Sequence, residues 1–319
     1  MIGNLKSMSA AVATLASIVV ATGAAADEIW VANMTSGTVT VFDADSLKVI
    51  ATIPAGKGAH NVTISRDGKL ALVANVGAGT VSVIDAASKK VLGEVAAETK
   101  THDVSLSPDG KLALASNVGA GSITFIDVAK LQAVHSMPLG KKTMMSVFSP
   151  DGSLAYVSIA GESKILVLDV AKRTVVKTLP GGAGTMAFVP TPDGKRAWMT
   201  APEDNKVVLL DLEKAAFIGS IEVPDEPHGM VFSPDGKHGY VVRRAVDEVA
   251  VLDTATRKMV RSEYIGERPD MLAISPDGSK LYVTIRGEDK MLVLSSDDLS
   301  TLAEVATGDE PHGVAYRAQ

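Results

Sequence analysis

The 319-residue sequence contains no cysteine. This absence excludes disulfide bonds, thiolate metal sites, cysteine nucleophiles, covalently attached c-type haem and a lipoprotein acyl anchor. Aromatic residues make up only 4%, whereas 28 glycines are present, which favours short strands and turns over large aromatic pockets. The net charge is −6, and an acidic chain argues against nucleic acid as a partner, because phosphate binding depends on basic patches.

Long apolar runs are absent except near the N-terminus. There, Lys6 precedes the run SAAVATLASIVVATGAAA, which ends at Ala26 before the polar Asp27. A positive residue, a short apolar stretch and small residues at the end are typical of a secretory signal peptide. We therefore predict a signal peptide over residues 1–26, a mature domain over residues 27–319 and a periplasmic or secreted location without a membrane span. The alternative is an N-terminal membrane anchor, for which the run is short and rich in alanine.

An Asp-Gly turn recurs every 42 residues with no insertion or deletion. The aspartates of these turns are Asp67, Asp109, Asp151, Asp193, Asp235 and Asp277. Between the turns lie short runs such as KLALVAN and TVSVID, separated by glycine, aspartate and proline, and these predict strands. Four strands in about 40–45 residues is the period of a β-propeller blade.

The two ends of the chain carry complementary parts of one more repeat. Residues 29–57 match the last three strands of a repeat, and residues 312–319, HGVAYRAQ, match the first. The sequence therefore predicts an all-β, seven-bladed β-propeller whose C-terminal strand joins the N-terminal three. Such closure removes the exposed sheet edges of an open array.

The strand sequences LYVTI, LALVAN and IWVAN, set beside SPDGK and VSVID, resemble the YVTN-type β-propeller repeat. The resemblance covers the whole mature chain. That family is similar to the haem-binding propeller of periplasmic nitrite reductases and to exported lactonase-like and lyase-like propellers. It implies the fold, but one propeller scaffold supports many unrelated functions.

One position of the repeat is expected at a mouth of the central channel, because the first strand of a blade is innermost. This column lies seven residues before each turn aspartate and consists of His60, His102, Met144, Met186, His228, Asp270 and His312. Ring closure places His312, His60 and His102 in adjacent blades. The ends of the second strands reach the same face and add Asn33, Asn75, Asn117, Arg243 and Arg286.

The column has more than one interpretation. Imidazole and thioether groups suit copper, and imidazole also suits zinc or iron, so the predicted metal ligands are His60, His102, His228, His312, Met144 and Met186. The alternative is that the histidines repeat a common template and only donate hydrogen bonds across the mouth. An organic ligand held by Asp270 and the second-strand residues is a third possibility, and a haem-type ligand with an axial histidine a fourth.

We favour a non-catalytic, exported binding protein that holds copper or a cofactor at this mouth. The alternatives are a lactonase- or lyase-like enzyme with a histidine base, a metal-assisted hydrolase and a protein-interaction scaffold. A catalytic histidine needs an orienting carboxylate, and strand alternation is expected to turn Asp103 away from His102. A charged rim could dock a protein partner, with Lys57, Lys100, Lys141 and Lys142 on one arc and Asp225, Glu226, Glu267, Asp309 and Glu310 on the other.

Overall fold

The computed structural model describes residues 26–319. The predicted signal peptide, residues 1–26, lies outside the described residues apart from Ala26. The described chain forms seven four-stranded antiparallel sheets, and the predicted seven-bladed propeller is confirmed.

The first three blades follow one another along the chain. Blade 1 consists of β4 (Ala59–Ile64), β5 (Leu70–Asn75), β6 (Thr80–Asp85) and β7 (Lys90–Ala96). Blade 2 consists of β8 (Thr101–Leu106), β9 (Leu112–Asn117), β10 (Ser122–Asp127) and β11 (Gln132–Pro138). Blade 3 consists of β12 (Thr143–Phe148), β13 (Leu154–Ile159), β14 (Lys164–Asp169) and β15 (Thr174–Pro180).

The next three blades have the same order, and the inner strand of blade 4 is shorter than the others. Blade 4 consists of β16 (Phe188–Pro190), β17 (Arg196–Ala201), β18 (Lys206–Asp211) and β19 (Ala216–Glu222). Blade 5 consists of β20 (Pro227–Phe232), β21 (His238–Arg243), β22 (Glu248–Asp253) and β23 (Lys258–Tyr264). Blade 6 consists of β24 (Pro269–Ile274), β25 (Lys280–Ile285), β26 (Lys290–Ser295) and β27 (Thr301–Ala306). Short 3-10 turns follow the second strands of blades 3, 4 and 6 at Ala160–Glu162, Pro202–Asp204 and Arg286–Glu288.

Blade 7 is shared between the two ends of the described chain. Its strands are β28 (Pro311–Arg317), β1 (Glu28–Asn33), β2 (Thr38–Asp43) and β3 (Val49–Pro54). The inner strand β28 pairs antiparallel with β1, with Glu28 opposite Arg317, and the two side chains form a buried ion pair of 3.0 Å. This pairing confirms the predicted closure of the ring.

The sequence pattern of each blade explains its packing. Second and third strands are almost wholly buried, because both of their faces pack against neighbouring blades. Fourth strands are mostly exposed and form the outer edge, as in β7. The Asp-Gly turns are held locally, since Asp67 Oδ1 accepts hydrogen bonds from the Ser65 hydroxyl at 2.8 Å and the Lys69 amide at 3.1 Å. Within residues 26–319, no helix has the length and apolar character needed to cross a bilayer.

Candidate active site at the channel mouth

The inner strands bring the predicted column together at one end of the channel. Six of its residues are second in their inner strands, and Met186 lies two residues before β16. A β-bulge occurs at this position, where the pairing shifts between Ala59 and Asn61 in blade 1 and between Thr101 and Asp103 in blade 2. The bulge breaks strand alternation, so that successive residues can both project among the inner strands.

Glycine after a column residue allows neighbouring inner strands to approach closely. A Cβ atom at Gly229 would lie 2.4 Å from the backbone oxygen of Asp270, and one at Gly313 would lie 2.7 Å from that of His60. These distances are too short for any side chain, which explains the His-Gly pairs at positions 228–229 and 312–313. The His-Gly pairs are visible in the sequence, but the need for glycine follows only from the packing between blades.

Three of the column histidines stack against one another. The ring centroids of His60 and His312 are 3.6 Å apart, and those of His60 and His102 are 4.2 Å apart. Burial lowers the pKa of His102 to about 4, and burial together with the neighbouring histidines holds the pKa values of His60 and His312 well below the usual range. All three rings are therefore neutral near pH 7.

Asp270 is the electrostatic centre of this end of the channel. Its carboxylate is fully buried, and its Oδ2 atom lies 2.7 Å from Nη2 of Arg244 and 3.6 Å from Nη1 of Arg286. Its Oδ1 atom lies 3.2 Å from Nδ1 of His228 and 3.5 Å from Nε2 of His312. Two guanidinium groups thus compensate one buried carboxylate. Arg244 was absent from the predicted set, although it follows Arg243 directly at the end of a second strand.

The contacts of His228 fix its tautomer. Nδ1 lies 3.2 Å from Oδ1 of Asp270 and 3.3 Å from the backbone oxygen of the same residue. The backbone oxygen can only accept a hydrogen bond and the nearby carboxylate also favours a proton on this nitrogen, so Nδ1 carries the proton and Nε2 has a free lone pair. Nε2 has no hydrogen-bond partner among the described residues. Burial also lowers the pKa of His228 to about 4, and the ring is neutral near pH 7.

His228 and Arg244 open onto a cavity of about 260 Å³ at the mouth. The cavity is also lined by Lys142, Met144, Met186, Glu203 and Glu226. It adjoins a groove of about 780 Å³ over blades 2 to 4, since Lys142, Ala160 and Glu203 belong to both linings. Like Arg244, Glu203 was not predicted as a site residue. It lies in the 3-10 turn Pro202–Asp204, and no sequence pattern distinguishes it from other loop acids.

The predicted ligand-binding residues of the second strands mostly bond within their own blades. Nδ2 of Asn33 donates to the hydroxyls of Thr38 and Thr40 at 3.1 and 2.9 Å. Asn75 and Asn117 repeat this arrangement. In blade 5, Arg243 takes the equivalent position and bonds to Pro224, Asp225, Glu248 and Ser262. Their role in binding a ligand stays a prediction, whereas Arg286 does reach Asp270.

The predicted metal ligands are only partly brought together. His228, Asp270 and His312 place three possible ligand atoms within 4.8 Å of one another. His60 and His102 are outside this group, and Met144 and Met186 line the adjoining cavity. Oδ2 of Asp270 is also occupied by its arginine partners. The identification of copper, and of a haem-type ligand, stays a prediction.

The sequence matches the family model "Lactonase, 7-bladed beta-propeller" over residues 3–316. The chain therefore belongs to this family of seven-bladed propellers. A search of curated proteins finds no match to the sequence.

Several solved structures share the fold. The periplasmic gluconolactonase of Pseudomonas aeruginosa is 20% identical, with a TM-score of 0.78 over 92% of this chain and 99% of the other. A provisional 6-phosphogluconolactonase of Bacteroides fragilis is 16% identical, with a TM-score of 0.79 over 91% and 98% of the two chains. The dihydro-haem d1 dehydrogenase NirN, solved with DHE, is 18% identical, with a TM-score of 0.67 over 90% and 74%. At these identities the likeness establishes the fold alone.

The family match corrects two predictions from the sequence. The favoured function, a binding protein that holds copper or a cofactor, is wrong, because the chain belongs to a family defined by lactonases. The preference for a non-catalytic role is wrong for the same reason. Asp103 does not contact His102, as expected from strand alternation, and its carboxyl oxygens lie near Asn61 and Ser146 instead. The lactonase-like alternative remains.

Proposed function

We propose that the protein is a lactone hydrolase whose active site is the cavity at the channel mouth. Supporting this proposal are the family match and the neutral, oriented histidine that lines the cavity. The substrate class is a lactone of a small polyhydroxylated acid, consistent with a cavity of about 260 Å³ whose lining includes several charged side chains. A protein partner on the charged rim is not required for this activity.

In the proposed reaction, Nε2 of His228 takes a proton from water as the water oxygen attacks the lactone carbonyl carbon. The carbonyl π electrons move to oxygen, and Arg244 stabilises the resulting oxyanion by charge and hydrogen bonding. When the intermediate collapses, the ring C–O bond breaks and the leaving ring oxygen takes the proton from Nε2. The product is the open-chain hydroxy acid, so atoms and charge balance.

The observation that carries the proposal is the pair formed by His228 and Asp270. The backbone oxygen of Asp270 holds the proton on Nδ1, with the carboxylate 3.2 Å away, and this leaves the lone pair of Nε2 unpaired in a ring that lines the cavity. An orienting carboxylate in this position is the arrangement that a histidine base requires.

The test is hydrolysis of glucono-δ-lactone, measured as the rate of acid release above the uncatalysed rate. Substitution His228→Gln is expected to lower kcat/KM by about 10²–10⁴-fold, the usual contribution of a general base. His135→Gln is the matched control, because His135 lies on the outer strand β11. Equal rates in wild type and H228Q, with both proteins folded, would exclude His228 as the base.

The pH profile provides a second readout. Because the pKa of His228 is about 4, the base is neutral at higher pH and protonated below. We expect kcat/KM to be constant above about pH 5 and to fall as His228 becomes protonated around pH 4. A midpoint near the ordinary histidine value would contradict this assignment.

We also propose that the protein acts outside the cytoplasm. The apolar N-terminal run and its small-residue end support export, and a structural neighbour is described as periplasmic. Fractionation of cells that express the full chain is expected to yield a mature protein beginning at Asp27 in the periplasm or medium. Retention of the intact N-terminus in the membrane fraction would instead support an anchor.

A further inference from the structure

A second cavity lies at the opposite end of the channel from the proposed active site. Its volume is about 610 Å³, and it is formed by the inner strands of blades 1 to 4 and the turns that follow them. Its lining includes Asp103, Ser105 and Ser146. Cavities of this size that combine apolar walls with a few polar groups are typical small-molecule sites.

Asp103 is buried without a compensating charge. Only 6% of the residue is exposed, and its carboxyl oxygens receive two long contacts of 3.4 Å, from the Asn61 side chain and the Ser146 amide. The other buried acids of the described chain, Glu28 and Asp270, each have two cationic partners. No lysine, arginine or histidine of residues 26–319 forms an ion pair with Asp103.

The other titratable groups in the cavity lining are Arg66 and Asp193. Both are exposed at the rim and opposite in charge, so neither neutralises the buried carboxyl. Burial raises the pKa of Asp103 to about 7, which means that the carboxyl is ready to lose its proton once a cation is supplied.

The rest of the lining fits a ligand that has an apolar part and a cationic group at one end. The hydroxyls of Ser105 and Ser146 lie 2.7 Å apart and can accept hydrogen bonds in addition to the carboxylate. Phe148 and Phe188 contribute apolar wall, and aromatic faces attract cations. An ammonium group offers three donors, which matches this set of oxygen acceptors.

We propose that this cavity is a binding site for a primary organic amine, held as its ammonium ion by Asp103 with its apolar part against the phenylalanine wall. The site is separate from the lactone-hydrolysing mouth and does not depend on that activity. Binding is expected to ionise Asp103 and release its proton while the amine stays protonated.

The test is isothermal titration of the full mature protein with phenethylamine, with phenethyl alcohol as the uncharged analogue. We expect the amine to bind at least tenfold more tightly than the alcohol at pH 8, and its affinity to fall about tenfold between pH 8 and pH 6 as Asp103 becomes protonated. In buffers of different ionisation enthalpy at pH 6, nearly one proton should be released per amine bound.

Substitution Asp103→Asn preserves the shape of the side chain but cannot carry charge, and it is expected to remove both the preference for the amine and the proton release. Equal affinity for amine and alcohol, no binding at millimolar concentrations, or unchanged amine binding in D103N would each overturn the proposal. The proton-release measurement uses the wild type, so the test remains decisive even if D103N fails to fold.

Discussion

Asp270 and Asp103 are both buried among the inner strands, but their surroundings differ. Asp270 contacts two arginines and two histidines at the channel mouth. Asp103 has no charged partner and only two long hydrogen bonds. The repeat places the two residues one position apart in equivalent strands, so a small change of position within one template produces opposite electrostatic conditions.

The difference follows from what the second strands and loops supply. Arg244 and Arg286 lie just beyond the ends of β21 and β25 and reach inward to Asp270 at the mouth. Asp103 projects toward the other cavity, where the side chains come from the inner strands themselves and are neutral apart from the rim. A buried charge is tolerated where its partners are also buried, and is costly where they are missing. The first arrangement orients the histidine that we propose as the base, and the second leaves the carboxyl to which we assign a ligand.

Removal of Pro311–Gln319 is expected to have the largest effect, because it should disrupt the ring that holds both Asp270 and Asp103. This segment supplies β28, which pairs with β1 and packs against the inner strands β4 and β24. Without it, two inner strands lose a neighbour and the ring has open edges. We expect loss of cooperative unfolding in urea, measured by circular dichroism. We also expect loss of the compact ring that encloses both cavities, measured by size-exclusion chromatography.

The control is a circular permutant in which residues 311–319 are placed before Asp27 through a short linker. The backbone amide of Gln319 already donates to Asp27 at 2.9 Å, so the connection is short. The permutant should regain cooperative unfolding. Native-like stability of the simple deletion would show that the closing strand is dispensable.

Substitution Asp270→Asn should be strongly destabilising. It leaves the partly buried Arg244 and Arg286 without the Asp270 carboxylate, although Arg286 keeps Glu310. Removal of one partner from a buried ion pair costs about 3–5 kcal/mol. The same substitution at position 103 is the matched control and should not destabilise, since it removes no ion pair. Urea unfolding of both variants at pH 8 measures the contrast, and a D270N protein within about 1 kcal/mol of wild type would refute it.

The sequence predicted the architecture well because a constant 42-residue spacing defines both the blade and the position of its inner strand. It also identified the column that lines the mouth, including His228 and Asp270. It could not predict the bulge that brings Asp103 into the channel, because alternation is a rule for regular strands. Nor did it identify Arg244, whose role depends on reaching a residue of the next blade.

The function was harder to predict than the fold, because histidine and methionine in one column are compatible with several chemistries. The proposed mechanism depends on distances between blades, such as the contact of Nδ1 of His228 with Asp270. Those distances depend on close packing at Gly229, which is a tertiary property that no single repeat encodes.

The smallest expected effect is the pH dependence of the stability difference between wild type and D103N. The pKa of Asp103 is about 7 in the folded protein, against an ordinary value of 3.8. The folded state therefore keeps a proton that the unfolded state has lost, and the stability contributed by this group falls as the pH rises from about 4 to 7. Asparagine has no such penalty, so D103N should be more stable than wild type by roughly 2–4 kcal/mol at pH 8, and the difference should vanish near pH 4. The buried histidines act in the opposite sense, since their lowered pKa values reduce stability on acidification, but they are present in both proteins and cancel in the difference. Urea unfolding of the two proteins between pH 4 and pH 8 measures this slope, and a difference that is independent of pH would mean that Asp103 has a compensating partner after all.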